Sequence, residues 1–321
     1  IVLDYFSVDW ADSNAMFAGE LRLQQPHSVA IEGLINNLAV PDERIEPLDI
    51  ELQANGSLQD LTVDIAANSP DIEVGGQAKL QLAETWSVDA DLNLSRFNVN
   101  TLLQQWPAEN VAHGELSVVV DEHQLVISDS WLAVSATDTT LQLDGVFEIA
   151  RATTQGDLRW SNFVWPATEG GSPVYSDSGS VSLAGSLDDW RVEGDVALRS
   201  DAIPPGEFRI DSSGNRDRFK ANIVESQILG GAVAGTIDFT WRGDQAWSAA
   251  LQTSNLQLTA LNPRWPSDVS GSINATGTQQ PLLRDVTLDD VSGELWSLPI
   301  TANGRLIVTE TNVVADEIRV A

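Results

Sequence analysis

Apolar and polar residues alternate with a period of two along most of the chain. Leu116, Val118 and Val120 occupy alternate positions in one segment, and Val181 and Leu183 do so in another. Alternate side chains of an extended strand point to opposite faces, so each such strand has one apolar and one polar face. Segments of this kind recur about every 12 to 14 residues, which predicts about two dozen strands.

Dipeptides that favour turns are spread between these segments. They are Asn55-Gly56, Gly75-Gly76, Asp144-Gly145, Gly230-Gly231 and Asn303-Gly304. Asn-Gly, Asp-Gly and Gly-Gly are typical of tight hairpin turns because they accept positive φ angles at little cost. The chain therefore predicts successive hairpins, in which neighbouring strands run antiparallel.

Helical periodicity is limited to two places. Residues 98–105 have Asn98 as a candidate cap, with Leu102 and Leu103 facing inward, and a similar short pattern runs through residues 256–261. We expect at most one or two helices, each of a turn or two.

A Trp-Pro pair occurs three times, as Trp106-Pro107, Trp165-Pro166 and Trp265-Pro266. Proline lacks a backbone donor and ends a strand ladder, while tryptophan covers an apolar rim. We therefore interpret these six residues as structural corners.

The order of motifs around two of these corners repeats, which predicts super-repeat copies at about residues 50–150 and 180–310. No linker or composition shift separates them, so we expect a single continuous β-repeat segment over residues 1–321. Since the chain begins and ends within a strand pattern, we also expect it to be an internal fragment of a longer protein.

A sheet of so many strands cannot stay flat. We predict an all-β fold: an elongated, curled antiparallel or mixed sheet whose apolar face lines an open hydrophobic groove. Three alternatives are a closed sandwich, an outer-membrane barrel and a β-helix. The barrel predicts tyrosine girdles, but the chain has only two tyrosines, and the short-period ladders of a β-helix are absent from the sequence.

The charge balance narrows the possible partners. The 47 acidic residues against 17 basic ones give a formal net charge of −30. Such a chain will not hold a nucleic-acid backbone by charge, so no nucleic-acid partner is expected. There is no cysteine, which excludes disulfides and thiolate chemistry.

No catalytic or metal-binding pattern stands out. The histidines are His27, His113 and His123, and the acidic pairs Asp188-Asp189 and Asp289-Asp290 belong to turns. Phosphate-binding loops, nucleophile elbows and zinc-protease motifs are missing from the sequence. We expect no enzyme, no cofactor and no metal.

The candidate functional residues are instead the apolar members of the alternating segments, which would line a groove for acyl chains. They are Leu116, Val118, Val120, Leu141, Leu143, Val181, Leu183, Val196, Leu198, Ile237 and Phe239.

An ordered series of motifs from about residue 150 to 275 carries a family resemblance. It comprises Trp160, the Trp165-Pro166 corner, residues 179–185, Asp189-Trp190, the turn at 203–206, residues 229–235, Trp241, Trp247, and residues 261–266 with Gly271. The series resembles the TamB family of AsmA-like envelope proteins of Gram-negative bacteria, and weaker copies extend it over nearly the whole chain.

The resemblance implies a periplasmic β-taco, an open curled sheet with a hydrophobic groove, anchored to the inner membrane by a segment outside this sequence. It further implies transport of phospholipid to the outer membrane, in support of outer-membrane biogenesis. The alternative that it implies is a scaffold or chaperone for outer-membrane barrel proteins, working with a TamA or BamA-type partner.

Overall fold

The computed structural model describes residues 2–10, 13–22, 28–40, 44–57, 59–82, 85–102, 110–165, 173–200, 204–241, 243, 245–278, 283–309 and 311–320. Two compact units make up the chain, Ile1–Thr168 and Glu169–Ala321. The single continuous segment and the super-repeat copies expected from the sequence stay predictions.

The first unit contains eleven strands and one short helix within its described residues. These are β1 (Val2–Trp10), β2 (Ser13–Arg22), β3 (Ser28–Leu38), β4 (Leu48–Gly56), β5 (Asp60–Asn68), β6 (Ile72–Leu82), β7 (Trp86–Asn98), α1 (Val99–Leu102), β8 (Val111–Asp121), β9 (Gln124–Val134), β10 (Thr139–Glu148) and β11 (Thr153–Trp165).

The second unit contains ten strands and a single 3₁₀ turn within its described residues. These are β12 (Val174–Ser186), β13 (Asp189–Ser200), β14 (Gly206–Gly214), β15 (Arg218–Ile228), β16 (Gly231–Thr240), β17 (Trp247–Leu256), the 3₁₀ turn (Leu258–Ala260), β18 (Ser267–Thr278), β19 (Leu283–Leu295), β20 (Leu298–Thr309) and β21 (Val313–Val320).

Within each unit, every strand pairs antiparallel with the next strand along the chain. The predicted all-β fold is confirmed, and the pairing is antiparallel rather than mixed. Over its described residues the sheet of each unit is open and uncurled, and extensive contacts join consecutive strands only. Within these residues, neither sheet has the curl that the sequence predicts.

The turn dipeptides behave less uniformly than their chemistry predicts. Asn55-Gly56 ends β4, and Gly230 lies in the β15–β16 turn with a φ of 70°. Gly75-Gly76 and Asn303-Gly304, however, lie inside β6 and β20, and Asp144-Gly145 lies inside β10 at a shift in register. Predicting turns there was wrong, because pairing with a neighbouring strand on each side overrides a local preference for a turn.

Each predicted helical segment contains a helical turn, α1 in the first and the 3₁₀ turn in the second, and residues 103–105 of the first segment lie outside the described residues. The Asn98 side-chain oxygen accepts a hydrogen bond from the Asn100 backbone N–H at 3.2 Å, so Asn98 caps α1 as predicted. Val99 of α1 packs with Ala112 and Val134 at one end of the sheet. The 3₁₀ turn of the second unit has no buried residue.

The buried positions of the strands are mostly small residues. In the first unit, Ala15, Ala54 and Ala78 are at most 7% exposed, and in the second unit Ser212 and Ala221 are similarly buried. Each faces the same side of its sheet as the larger aliphatic residues, as the cross-strand registers show. The core of each unit is thus a layer of small residues beside larger neighbours, and among the described residues no second sheet packs over it within the unit.

Candidate functional site

One face of the first unit is apolar across consecutive strands. Phe17, Gly33, Leu52 and Ile65 lie directly opposite one another on β2 to β5. The same face continues to β11, because directly paired residues of adjacent strands share a face. We call it the first apolar face.

All five groove candidates of this unit lie on the first apolar face. Leu116 is opposite Leu92, and Val118 and Val120 follow at alternate positions of β8. Leu141 and Leu143 of β10 lie opposite Trp160 and Leu158 of β11, respectively. The five side chains therefore share one face, and their role in binding stays a prediction.

The second unit has a corresponding apolar face, which carries the other six candidates. Val181 and Leu183 lie opposite Gly194 and Val192, and Val196 and Leu198 follow on the same side of β13. Ile237 lies opposite Ala221 and Ala249, and Phe239 lies opposite Phe219 and Trp247. We call this face the second apolar face.

None of the eleven candidates is buried. Leu143 and Leu183 are 40% and 37% exposed, and the other nine are half-buried. Leucine and valine side chains of a closed core are normally covered on all sides. Both faces therefore expose rows of aliphatic side chains to whatever lies next to them, and this is the arrangement that an apolar ligand requires.

The opposite face of the second unit carries cross-strand ion pairs. Both Nε and Nη2 of Arg191 donate to the carboxylate of Asp211 at 3.1 Å, and Arg209 Nε donates to Asp195 Oδ1 at 2.9 Å. Three more pairs of this kind are Arg199 with Asp177, Arg218 with Asp238, and Arg305 with Asp285. This face is charged but locally neutralised.

Two of these pairs lower the pKa of their carboxylate. The hydrogen bond from the Arg199 guanidinium lowers the pKa of Asp177 below its ordinary value, and the hydrogen bond from Arg305 does the same for Asp285. Both aspartates therefore remain ionised at neutral pH, and the pairs persist.

On the polar face of the first unit, where Arg22 pairs with Glu20 of the same strand, cross-strand hydrogen bonds to carboxylates come from neutral donors instead. Gln77 Nε2 donates to Asp64 Oδ1 at 2.9 Å, Ser117 Oγ donates to Asp91 Oδ1 at 2.7 Å, and Trp131 Nε1 donates to Glu115 Oε2 at 3.2 Å. These bonds leave the carboxylate charges uncompensated.

An aromatic row crosses one margin of the second apolar face, and sequence analysis did not find it. The row consists of Trp190, Phe219, Phe239 and Trp247 on β13, β15, β16 and β17, with Gly214 between the first two. The rings of Trp190 and Phe219 stack with centroids 5.9 Å apart and an interplanar angle of 24°. A Cβ on Gly214 would lie 2.3 Å from the Trp190 ring, so glycine leaves the space that this indole fills.

The structural corners are described in part. Trp165 ends β11, and Trp265-Pro266 directly precedes β18. The Pro266 carbonyl accepts a hydrogen bond from the Trp296 backbone at 2.9 Å, and the Trp296 indole donates to the Arg264 carbonyl at 2.7 Å. Trp106, Pro107 and Pro166 lie outside the described residues.

The remaining polar candidates do not converge. His113 contacts the edge of Trp131 near the start of β8, whereas His123 lies in the turn after β8, and His27 is outside the described residues. Within the described ranges, no cluster of three or more metal-ligating side chains occurs. Those ranges also contain no helix with the length and hydrophobicity needed to cross a membrane.

The comparisons with known proteins agree with this architecture. A family model described as TamB, N-terminal domain, matches residues 50–320, which is most of the chain. No solved structure matches the chain significantly. Proteins of the TamB family are associated with the cell envelope and work with a TamA-type partner. The extent of the match shows that this chain belongs to the TamB family, within its N-terminal domain.

Proposed function

We propose that this chain carries phospholipid acyl chains along its two apolar faces, as part of a periplasmic bridge between the inner and outer membranes. The chain would be held at the inner membrane by a segment outside this sequence, and would meet a TamA or BamA-type barrel at the outer membrane through other regions. Its contribution to outer-membrane biogenesis would be the movement of lipid, which requires no catalytic residue.

The observation that carries this proposal is the half-buried aliphatic lining. Leu116, Leu141, Leu183 and Ile237 belong to rows that run from strand to strand without an acidic side chain on the same face of the paired residues. Each methylene removed from water contributes about 0.8 kcal/mol, so an acyl chain gains affinity from many weak contacts. Because the aliphatic residues of a row are similar, no single position binds an acyl chain much more tightly than the others. The acyl chain can therefore move along the face.

A depression on the polar side of the second unit does not suit an acyl chain. It has a volume of about 420 Å³ and is lined by Asp195, Arg209, Glu207 and Glu225. Charged groups of this kind are strongly hydrated, and an acyl chain placed among them would displace their water without replacing its hydrogen bonds. The apolar faces are therefore the sites on which the proposal depends.

A matched pair of variants tests the proposal. Leu183→Asp places a charge on the second apolar face, whereas Ala184→Asp places the same charge on the polar face of the same strand, opposite Arg191. We expect native mass spectrometry to show at least about a tenfold loss of co-purified phospholipid for Leu183→Asp and little change for Ala184→Asp, because a desolvated carboxylate opposes acyl burial.

A second pair, Ile237→Asp and Thr236→Asp, repeats the comparison on β16. Circular dichroism should show that all four variants keep their strand content. Unchanged phospholipid in both Leu183→Asp and Ile237→Asp would overturn the proposal. Co-purified barrel polypeptide in place of lipid would instead support the scaffold function, in which the same face receives unfolded outer-membrane strands.

A further inference from the structure

We propose that Arg284, at the margin of the second apolar face, binds the phosphate of a glycerophospholipid whose acyl chains lie on that face. The inference rests on the proposed lipid-carrying function and names the chemistry that would orient the lipid there. Arg284 is a cationic side chain on an apolar face, and this position is the basis of the proposal.

Arg284 lies on the apolar side of its sheet. It is directly opposite Gly277 of β18 and Val308 of β20, and Gly277 is in turn opposite Trp247 of the aromatic row. The neighbouring Asp285 points to the other face, where it pairs with Arg305. Among the described strands of both units, Arg284 is the one basic residue on an apolar face.

Five other strand arginines of this unit have partners, whereas Arg319 of β21 lies opposite Asn303 on the polar face. Arg191, Arg199, Arg209, Arg218 and Arg305 each bind a carboxylate on the polar face. Arg284 is exposed, and none of the described residues forms a hydrogen bond or ion pair with its side chain. In a chain with a net charge of −30, a guanidinium without a carboxylate partner is available for an external anion.

The surroundings of Arg284 match the headgroup end of a lipid. Trp247, the last member of the aromatic row, lies on β17, two strands away from Arg284 on β19. Indole rings favour the boundary between apolar and polar surroundings. From Arg284, the alternate residues Val286 and Leu288 continue along β19 toward the middle of the sheet. One leaflet of a bilayer core is about 15 Å thick, which corresponds to about five residues of strand, so an acyl chain anchored at Arg284 would reach Leu288.

Arginine suits this role because its planar guanidinium forms two parallel hydrogen bonds with a phosphate and stays protonated at all relevant pH values. Its aliphatic stem packs along apolar side chains while the charged end remains in water. A phosphate at Arg284 would therefore stay hydrated at the margin as the acyl chains contact the face.

The test compares three probes with wild-type chain, Arg284→Gln and the control Arg159→Gln. Arg159 lies on the polar face of the first unit, opposite Gln142, so its replacement removes the same charge from a different surface. The probes are phosphatidylglycerol, diacylglycerol with the same acyl chains, and inorganic phosphate. Binding is measured by native mass spectrometry, and circular dichroism checks the fold.

We expect Arg284→Gln to weaken phosphatidylglycerol binding about tenfold, the size of a lost charge-assisted hydrogen bond, and to leave diacylglycerol binding unchanged. Arg159→Gln should change neither. Equal phosphatidylglycerol binding by wild type and Arg284→Gln would overturn the role of Arg284 while leaving lipid binding intact. Binding of inorganic phosphate as strong as that of the phospholipid would show a simple anion site and also overturn it. If wild type binds neither lipid, both this inference and the proposed function are wrong.

Discussion

Each unit has an apolar face of its own, but the polar faces of the two units differ. The first unit carries 26 acidic and 6 basic residues, a net charge of −20, whereas the second carries 21 and 11, a net charge of −10. Arginine–aspartate pairs join the strands of the second unit, while amide and hydroxyl donors serve the first. The apolar margins differ as well, since the aromatic row belongs to the second unit.

The contrast shows which features are common to the two units and which differ between them. Both units keep aliphatic residues on one face of consecutive strands, although those residues stay half-exposed and gain only part of the free energy that full burial would give. The polar faces vary in charge and in the type of cross-strand contact. The feature that both units keep is therefore the one to which we assign function, and the polar faces chiefly maintain solubility and strand pairing.

The two units should differ most in the stability that they lose when a residue of an apolar row is truncated. Phe219→Ala removes stacking on both Trp190 and Trp241, whose rings lie 5.9 and 6.3 Å away. We expect a loss of about 2 to 3 kcal/mol in the stability of the second unit. Leu52→Ala, in an aliphatic row of the first unit, should cost about 1 to 2 kcal/mol because that half-exposed side chain loses less contact.

Hydrogen exchange resolved by residue measures both effects in the intact chain. The loss of protection in each variant should be concentrated in the unit that carries the substitution. Equal losses for the two variants would contradict the view that the aromatic row gives the second unit a specially packed margin.

A smaller effect should follow from added salt. Raising ionic strength from about 0.1 to 1 M shortens the screening length from about 10 to 3 Å. We expect amide protection to rise in the first unit, because the repulsion among its uncompensated carboxylates is screened. In the second unit, salt screens the attraction within the ion pairs as well as the repulsion among like charges. Amide protection there should therefore change little or fall. A parallel rise in both units would show that the ion pairs do not distinguish them.

The sequence predicted much of the fold because strand alternation is a local signal. The period-two alternation predicts that Leu116, Leu141, Leu183 and Ile237 each lie on the apolar face of their strand, provided that no bulge intervenes. The capped helix after Asn98 was also visible, since capping depends on residues close in sequence.

Features that depend on cross-strand register were not predictable from one sequence. The aromatic row joins residues from Trp190 to Trp247, and only the pairing of five strands brings them into line. The position of Arg284 on the apolar side likewise requires the registers of β18 to β20. The Gly75-Gly76 dipeptide predicts a turn from local chemistry alone, whereas pairing with a strand on each side places it inside β6.

The central claim is that acyl chains contact the apolar faces and not the polar ones. A photo-crosslinking amino acid placed in turn at Val181, Ser182, Leu183 and Ala184 tests it within a single strand, in cells that make the intact protein. We predict phospholipid adducts at positions 181 and 183 and few at 182 and 184, with the same alternation along β10. Equal labelling of adjacent positions, or adducts with polypeptide alone, would contradict the account.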